Sequence, residues 1–235
     1  SDHVYNTPRA WAMLRYLNPH DTQWDIKGPQ ADDLPWCMVP EKKITIEDVK
    51  YALSNHFQGT KYDPYLSYGD KSMAGAYRSI GINRNDFLAV IQTKEGKETI
   101  EWIAYASNAF NALVPFYANI ETTPEYLNNT TGNVSTNNFY WSSRLIAAMA
   151  DASYKQSLIH IERYQNQVAA RAHEILNTYD EKIEKETDEA KKLILRHEAN
   201  EKMTSIVKDL TQDTLNKVLF ELSCTMKNAY SRSDA

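Results

Sequence analysis

The sequence predicts an α+β fold that ends in a pair of long antiparallel helices. Two β-rich runs between residues 87 and 106 flank a short polar turn, which is typical of a β-hairpin. From residue 138 to residue 186 the chain contains no Gly or Pro, and its apolar residues recur at helical spacing. This change of character divides the chain into an α+β portion, residues 1–137, and a helical portion, residues 138–235.

One helix in the first portion is well marked at its start. Thr45 is suited to cap it, and Asp48 stands three residues further on, as in a capping box. Ile46, Val49 and Leu53 then share one face, and Gly59 is the expected stop. The prolines scattered through the same portion indicate irregular segments around this helix.

The hairpin is predicted from Phe87–Gln92 and Thr99–Ala106, with a Lys-Glu-Gly-Lys turn between them. Side chains alternate between the faces of a strand, so Trp102 and Tyr105 lie on opposite faces. Because both are large, we expect both faces of the sheet to be covered. We also expect the hairpin to belong to a larger sheet, with strand edges left open if the chain is a fragment.

The helical portion is predicted as one helix from about 138 to 186 and a second to about Asn228, with a break and a fresh N-cap at Thr187–Glu189. Two such helices joined by a tight turn form an antiparallel hairpin. The charged stretch Asp180–Lys192 is the expected solvated tip. The predicted apolar face of the first helix comprises Trp141, Leu145, Met149, Val168, Ala172, Ile175, Tyr179 and Ile183. That of the second comprises Ile206, Leu210, Leu215, Leu219, Leu222 and Met226.

Composition excludes several classes of function. A net charge of −5 argues against binding to a phosphate backbone, so no nucleic-acid partner is expected. No apolar run approaches the length of about 20 residues that spans a bilayer, and no secretion signal is visible, so we expect a cytoplasmic protein. The histidines and the two cysteines lack metal-ligand spacing, so neither a metal nor a cofactor is expected. Cys37 is expected to be a buried, inert thiol.

Five stretches carry a more specific signal. They include an Asn-Thr-Pro-Arg motif at the start, an Asn-His-Phe-Gln-Gly segment after the capped helix, and an aromatic Phe-Tyr-Trp-Ser-Ser-Arg run at the entry to the long helices. In order, they are Tyr5–Trp11, Thr45–Tyr65, Arg78–Arg84, Trp102–Asn119 and Phe139–Asp151. The set resembles the dipeptidase A-type family of bacterial cysteine peptidases. The likeness covers residues 5 to 151, and beyond them it extends only to helical character.

The resemblance implies the C-terminal portion of an αββα N-terminal-nucleophile hydrolase fold. Such an enzyme hydrolyses dipeptides with the thiol of a terminal cysteine, whose own amine can act as the base. That cysteine would lie upstream of this chain, so the chain alone is expected to be inactive. Ser1 falls in mid-sequence in this comparison, which favours a fragment boundary over a terminal nucleophile.

Five residues are candidates for the site. The resemblance matches Arg9 to an arginine near the nucleophile, where it could hold a thiolate or a substrate carboxylate. Arg78, Asn108 and Asn111 lie near the predicted strands and could donate to a dipeptide or an oxyanion. Asp63 could meet a substrate amino group. A purely structural role stays open for each.

The expected partners are a dipeptide substrate and either a second copy of the chain or the missing N-terminal part. The competing hypothesis is a non-catalytic interaction module, in which the helical hairpin pairs with a partner or with another copy. The residues that precede Ser1 would separate the two hypotheses.

Overall fold

The computed structural model describes residues 2–228, which form two compact units that divide between Asn83 and Arg84. Helices occur in both units, and the second also holds a three-stranded antiparallel sheet followed by long helices. The mixed α and β architecture with a long C-terminal helical region is therefore confirmed. The predicted boundary between residues 137 and 138 lies inside the second unit, and as a domain division it stays a prediction.

The first unit contains two α-helices, α1 (Asn6–Leu17) and α2 (Ile46–Leu53), and a short 3-10 helix (Thr22–Asp25). The predicted capping box at the start of α2 is present in full. The predicted stop at Gly59 is wrong, because α2 ends at Leu53. The chain then turns sharply, with Phe57 at φ 65° and Gly59 at φ 75°.

Sequence reasoning did not identify α1, because Pro8 reads as a helix breaker. Pro8 is the third residue of α1 and is buried. The first N–H groups of a helix have no partner within it, so a proline there removes no intrahelical hydrogen bond. An aromatic cluster forms the core beneath α1, and it contains Trp11, Ala12, Phe57 and Tyr77 with Trp24, Leu34, Tyr62 and Met73 packed around them.

A close backbone approach fixes the end of α2 against the segment that leads out of the first unit. The amides of Ile80 and Gly81 both donate to the carbonyl of Asn55, at 2.9 and 3.0 Å. A Cβ on Gly81 would lie 2.7 Å from the carbonyl carbon and 2.9 Å from the Cα of Ser54, and nearer still to its oxygen. Only glycine fits this position.

The sheet of the second unit has the order β1 (Phe87–Gln92), β2 (Ile100–Tyr105) and β3 (Val114–Tyr117). The predicted hairpin is confirmed: β1 and β2 pair antiparallel, and Gly96 has φ 70° in the turn. Both faces of β2 are covered as predicted, since the Trp102 ring lies 5.7 Å from that of His173 and the Tyr105 ring 5.5 Å from that of Phe139.

Four further helices follow, α3 (Glu125–Asn128), α4 (Phe139–Ala152), α5 (Tyr154–Lys185) and α6 (Glu189–Ser223). The single helix predicted from 138 to 186 is wrong, because it breaks at Ser153. The Ser153 hydroxyl hydrogen-bonds the Met149 carbonyl at 2.8 Å and the Ser157 hydroxyl at 2.7 Å. A serine that satisfies local backbone groups in this way often bends or interrupts a helix.

Helices α5 and α6 run antiparallel, as predicted. His160 near the start of α5 meets Glu221 near the end of α6 at 3.1 Å, and the Tyr164 and Thr211 hydroxyls are 3.0 Å apart. The break before α6 carries the expected cap, since the Asp188 side chain accepts from the amide of Ala190. Most residues of the predicted tip, 180–192, are exposed.

The apolar face predicted for the second long helix is wrong: of its six residues only Leu215 is buried, and Leu219 and Met226 are more than half exposed. The buried face of α6 instead includes polar residues that bind the sheet. Asn200 exchanges two hydrogen bonds with the backbone of Tyr117, at 2.8 and 3.1 Å. The full buried set is Arg196, Ala199, Asn200, Met203, Thr204, Val207, Thr211, Thr214, Leu215 and Val218.

Candidate active site

Arg9 and Arg78, both in the first unit, each contact Tyr5. The Arg9 Nε donates to the carbonyl of Tyr5 at 2.7 Å, and one terminal nitrogen donates to the Asn6 side chain at 2.5 Å. The Arg78 guanidinium lies 5.8 Å from the centre of the Tyr5 ring. Within residues 2–228 neither guanidinium forms a salt bridge. Two cations that lack carboxylate partners, one of them exposed, suit a ligand carboxylate.

Asp63 is buried and lies against a histidine that sequence reasoning passed over. Its Oδ1 is 3.1 Å from the Nδ1 of His56 and accepts from the amide of Tyr65 at 2.9 Å. The Tyr65 ring stands perpendicular to the imidazole, with centroids 5.2 Å apart. A carboxylate on one ring nitrogen fixes the orientation of an imidazole. The only signal for this pair in the sequence was that residues 55–65 belong to one of the five stretches that carry the family resemblance.

Asn108 and Asn111 lie in the tight turn that follows β2 in the second unit. They are 1% and 0% exposed. The Asn111 amide nitrogen donates to the carbonyls of Tyr105 and Ser107, at 2.9 Å each, so both of its hydrogens are used inside the turn. Its side-chain oxygen is buried and accepts no hydrogen bond from the part of the chain that the structure describes.

The turn also contains strained backbone. Ala106 has φ 57°, a left-handed conformation that non-glycine residues rarely adopt, and it is fully buried. Strain of this kind costs on the order of 1–3 kcal/mol and persists where the surroundings enforce it. The Gln165 amide binds the same turn, since it donates to the carbonyls of Ala109 and Asn111 at 3.0 and 3.3 Å.

The first unit also holds a cleft of about 590 Å³. It is walled by aromatic residues, two of which, Tyr16 and Tyr51, stack with ring centroids 4.2 Å apart. Its lining comprises Trp11, Ala12, Arg15, Tyr16, Leu17, Pro19, His20, Glu41, Lys42, Tyr51, Asn55, Phe57, Gln58 and Thr60. Clefts of this size commonly accept small ligands. None of the predicted site residues lines it.

A buried carboxylate supports the wall of this cleft. Asp48 accepts a 2.8 Å hydrogen bond from the Tyr16 hydroxyl and lies 3.1 Å from the Lys42 ammonium. The hydrogen bond from the Thr45 amide, followed by those from Tyr16 and Lys42, lowers the pKa of Asp48 from 3.8 to about 2. Burial, and then the bond to Asp48, raise the pKa of Tyr16. At pH 7 the Asp48 carboxylate is therefore ionised and the Tyr16 hydroxyl is neutral.

The cysteines and histidines form no reactive cluster in the described chain. Cys37 is exposed, so the expectation of a buried thiol is wrong: its Pro-flanked loop extends into solvent, where Trp36 is fully exposed. Cys224 is exposed as well. No three His, Cys, Asp or Glu side chains among residues 2–228 are grouped to hold a metal ion. Ser1, considered above as a nucleophile, lies outside the described residues.

Membrane insertion through a helix finds no support in the described chain, because no helix between residues 2 and 228 is both long and apolar enough to cross a bilayer.

Comparison with known proteins assigns the chain to a family of peptidases. Residues 1–167 match Peptidase family C69, and the chain belongs to that family. The similar proteins include a dipeptidase of Bifidobacterium longum, 40% identical over an alignment of 281 residues that covers 100% of this chain and 52% of the relative. A probable dipeptidase A of Streptococcus pyogenes serotype M18 is 42% identical, with 99% of this chain and 48% of the relative covered.

Dipeptidase A of Lactobacillus helveticus is 33% identical over 94% of this chain and 46% of its own length. The chain thus spans about half the length of the curated relatives that it matches.

Proposed function

We propose that this chain is the C-terminal part of a cytoplasmic cysteine dipeptidase whose nucleophile lies in the part not included in it. The observation that carries the proposal is the match along the whole chain to about half of several dipeptidases. We further propose that the complete enzyme has the αββα N-terminal-nucleophile fold. The layers of sheet and helix in the second unit are compatible with one half of such a sandwich.

In the proposed mechanism the terminal thiol attacks the peptide carbonyl, and its proton passes to the free α-amine beside it. The amine then delivers this proton to the leaving amino group, and water releases the acyl product from the thiol. The present chain would contribute charge and positioning to these steps. It needs no nucleophile of its own.

Arg9 is the proposed catalytic contribution, as a permanently charged donor to the thiolate or to the substrate carboxylate. Arg78 is proposed to bind substrate beside it. Their shared contact with Tyr5 and their lack of salt bridges in the described chain support this pairing. Because Arg9 already uses two of its donors on its own helix, its guanidinium is held in place before a ligand arrives.

Asp63 is proposed to contribute to the binding of the substrate amino group, with His56 as the group that orients it. Asn108 and Asn111 are proposed to support the site through the turn after β2. The complete burial of Asn111 and the use of both its amide hydrogens suit a residue that shapes the turn. The buried Asn111 oxygen accepts no hydrogen bond from residues 2–228, so a donor from the missing part could satisfy it.

A non-catalytic interaction module is the second candidate, and the exposed apolar end of α6 favours it. Leu219 is 53% and Phe220 65% exposed at consecutive positions of that helix. Large exposed apolar side chains that lie together often mark a contact with a partner.

The test compares this chain with the full reading frame that contains it, both purified and assayed for dipeptide hydrolysis. The proposal expects turnover by the full-length protein, loss of turnover when its terminal cysteine is replaced by alanine, and no turnover by this chain. Replacement of Cys37 and Cys224 by serine should leave the activity of the full-length protein unchanged. A folded full-length protein without peptidase activity would favour the interaction module. Turnover by this chain alone would refute the proposal that the nucleophile lies outside it.

A further inference from the structure

The three strands of the sheet differ sharply in burial. All four residues of β3 are buried, and four of the six residues of β2 are buried with the other two half-buried. In β1 no residue is buried, and Phe87 and Ile91 are 53% and 58% exposed. Yet the sequence of β1, Phe-Leu-Ala-Val-Ile-Gln, is as apolar as that of an interior strand.

The register shows which backbone groups of β1 are open. The Ala106 amide donates to the Asp86 carbonyl at 2.9 Å, so this is a hydrogen-bonded pair of the ladder. Hydrogen-bonded and non-hydrogen-bonded pairs alternate along an antiparallel ladder. Leu88, Val90 and Gln92 therefore direct their backbone groups toward β2. The amides and carbonyls of Phe87, Ala89 and Ile91 point the other way, to an edge that no strand of the described residues occupies.

Strands that end a sheet in a finished protein are usually protected from further pairing by charged side chains, proline or a bulge. Strand β1 contains no charged residue, no proline and no bulge, since its six residues are uncharged and pair with β2 in unbroken register. Such an edge is a template for one more strand, and it is long enough to bind four to six residues of it.

We infer that the open edge of β1 pairs with a strand from the part of the protein that this chain lacks. The inference rests on the proposed function, in which the chain is about half of a longer enzyme. The relatives contain about as many residues outside the matched region as inside it, which supplies the occupant. The added strand would cover Phe87 and Ile91 and would join the two halves of the enzyme into one continuous sheet.

The test measures amide hydrogen exchange at Ala89 and Ile91 in this chain and in the full-length protein. In this chain both amides should exchange freely, because they point to the open edge. In the full-length protein they should exchange at least about 100-fold more slowly, as expected of amides in a hydrogen-bonded sheet. Equal exchange in the two proteins would overturn the inference. Protection in this chain that grows with its concentration would also overturn it, because a second copy would then be the occupant.

A proline at the same edge gives an independent readout. Ala89→Pro removes an N–H that β2 does not use, and edge positions of this kind tolerate proline. It should leave the melting temperature of this chain within about 2 °C and lower that of the full-length protein by about 4 °C or more. Ile194→Lys is the matched control, because Ile194 is 56% exposed on α6, and it should affect the two proteins equally. An equal effect of Ala89→Pro in both would refute the pairing.

These readouts do not depend on catalysis. If the full-length protein failed to hydrolyse dipeptides but protected the β1 amides, the proposed function would fall and the strand pairing would stand. If it hydrolysed dipeptides with unprotected β1 amides, the reverse would hold.

Discussion

Replacement of Gly81 by alanine tests how the first unit holds its candidate residues. The added methyl group would lie 2.7 and 2.9 Å from two backbone atoms of Ser54, distances that real Cβ atoms essentially never show. Backbone cannot rotate aside as a side chain can, so the segment at Gly81 must move by roughly 0.5–1 Å to restore ordinary contact. That movement would stretch the two hydrogen bonds to the Asn55 carbonyl.

The magnitude follows from three contributions. Forcing a methyl group into a packed site costs typically 1–3 kcal/mol. Weakening two backbone hydrogen bonds adds about 1–2 kcal/mol. Alanine also lowers the conformational entropy of the unfolded chain, which offsets the loss by about 0.4–1 kcal/mol. The expected net loss of unfolding free energy is therefore about 1–5 kcal/mol.

Urea unfolding of the two purified proteins, followed by tryptophan fluorescence, measures this loss. The matched control is Gly28→Ala, because a Cβ on Gly28 meets nothing within 4 Å and its φ is not left-handed. Gly28→Ala should be neutral or slightly stabilising. A Gly81→Ala variant as stable as the Gly28→Ala variant would refute the close approach described here. It would also remove the reason for the fixed position of the segment that carries Arg78.

The remaining predictions concern catalysis, an ion pair and pH. In the full-length enzyme Arg9→Lys should lower kcat/KM about 100-fold at an unchanged melting temperature, whereas unaltered kinetics would remove Arg9 from the site. Arg196→Met should lower the free energy of unfolding by about 2 kcal/mol, because it leaves the partly buried Glu98 carboxylate without its bidentate partner at 2.8 and 2.9 Å. Lys217→Met, at an exposed pair, should cost less than about 1 kcal/mol, and equal losses would contradict the distinction. Because the pKa of Asp48 is lowered to about 2, the stability that its carboxylate contributes is complete above pH about 4 and is lost as the pH falls through about 2. In the Asp48→Asn variant the free energy of unfolding should therefore depend less on pH between about 4 and 2.

Elements with strong local signals could be predicted from the sequence. The capping box at Thr45, the hairpin turn at Gly96 and the cap at Asp188 depend on a few neighbouring residues, and all three are present. Elements decided by distant contacts could not be predicted. The break at Ser153 interrupts a sequence pattern that is helical on both sides. Pro8 lies in the first turn of α1, where its missing N–H removes no intrahelical hydrogen bond.

The face of α6 shows why apolar spacing can mislead. Leucines at regular intervals predicted the buried side, but α6 also packs against the backbone of β3 and against the Glu98 carboxylate in the turn before β2. Asn200 and Arg196 meet those groups, so the helix is rotated to bury them, and Leu219 is left in solvent. Periodicity counts apolar side chains and does not include partners contributed by another element.

The candidate site was predicted residue by residue but not as an arrangement. The contact of Arg9 and Arg78 with one tyrosine joins positions almost 70 residues apart, and no local pattern reveals it. His56 was missed for the opposite reason, since a single histidine without a second one nearby gives no motif. Its contact with Asp63 becomes visible only in the structure.

The location of the nucleophile tests the central claim most directly. Full-length protein is treated with iodoacetamide with and without a saturating dipeptide, and the alkylated cysteines are mapped by mass spectrometry. The account predicts that the dipeptide protects a cysteine at the mature N-terminus, upstream of this chain, and that Cys37 and Cys224 are alkylated equally in both samples. Protection of Cys37 or Cys224, with matching retention of activity, would place the nucleophile in this chain and contradict the account.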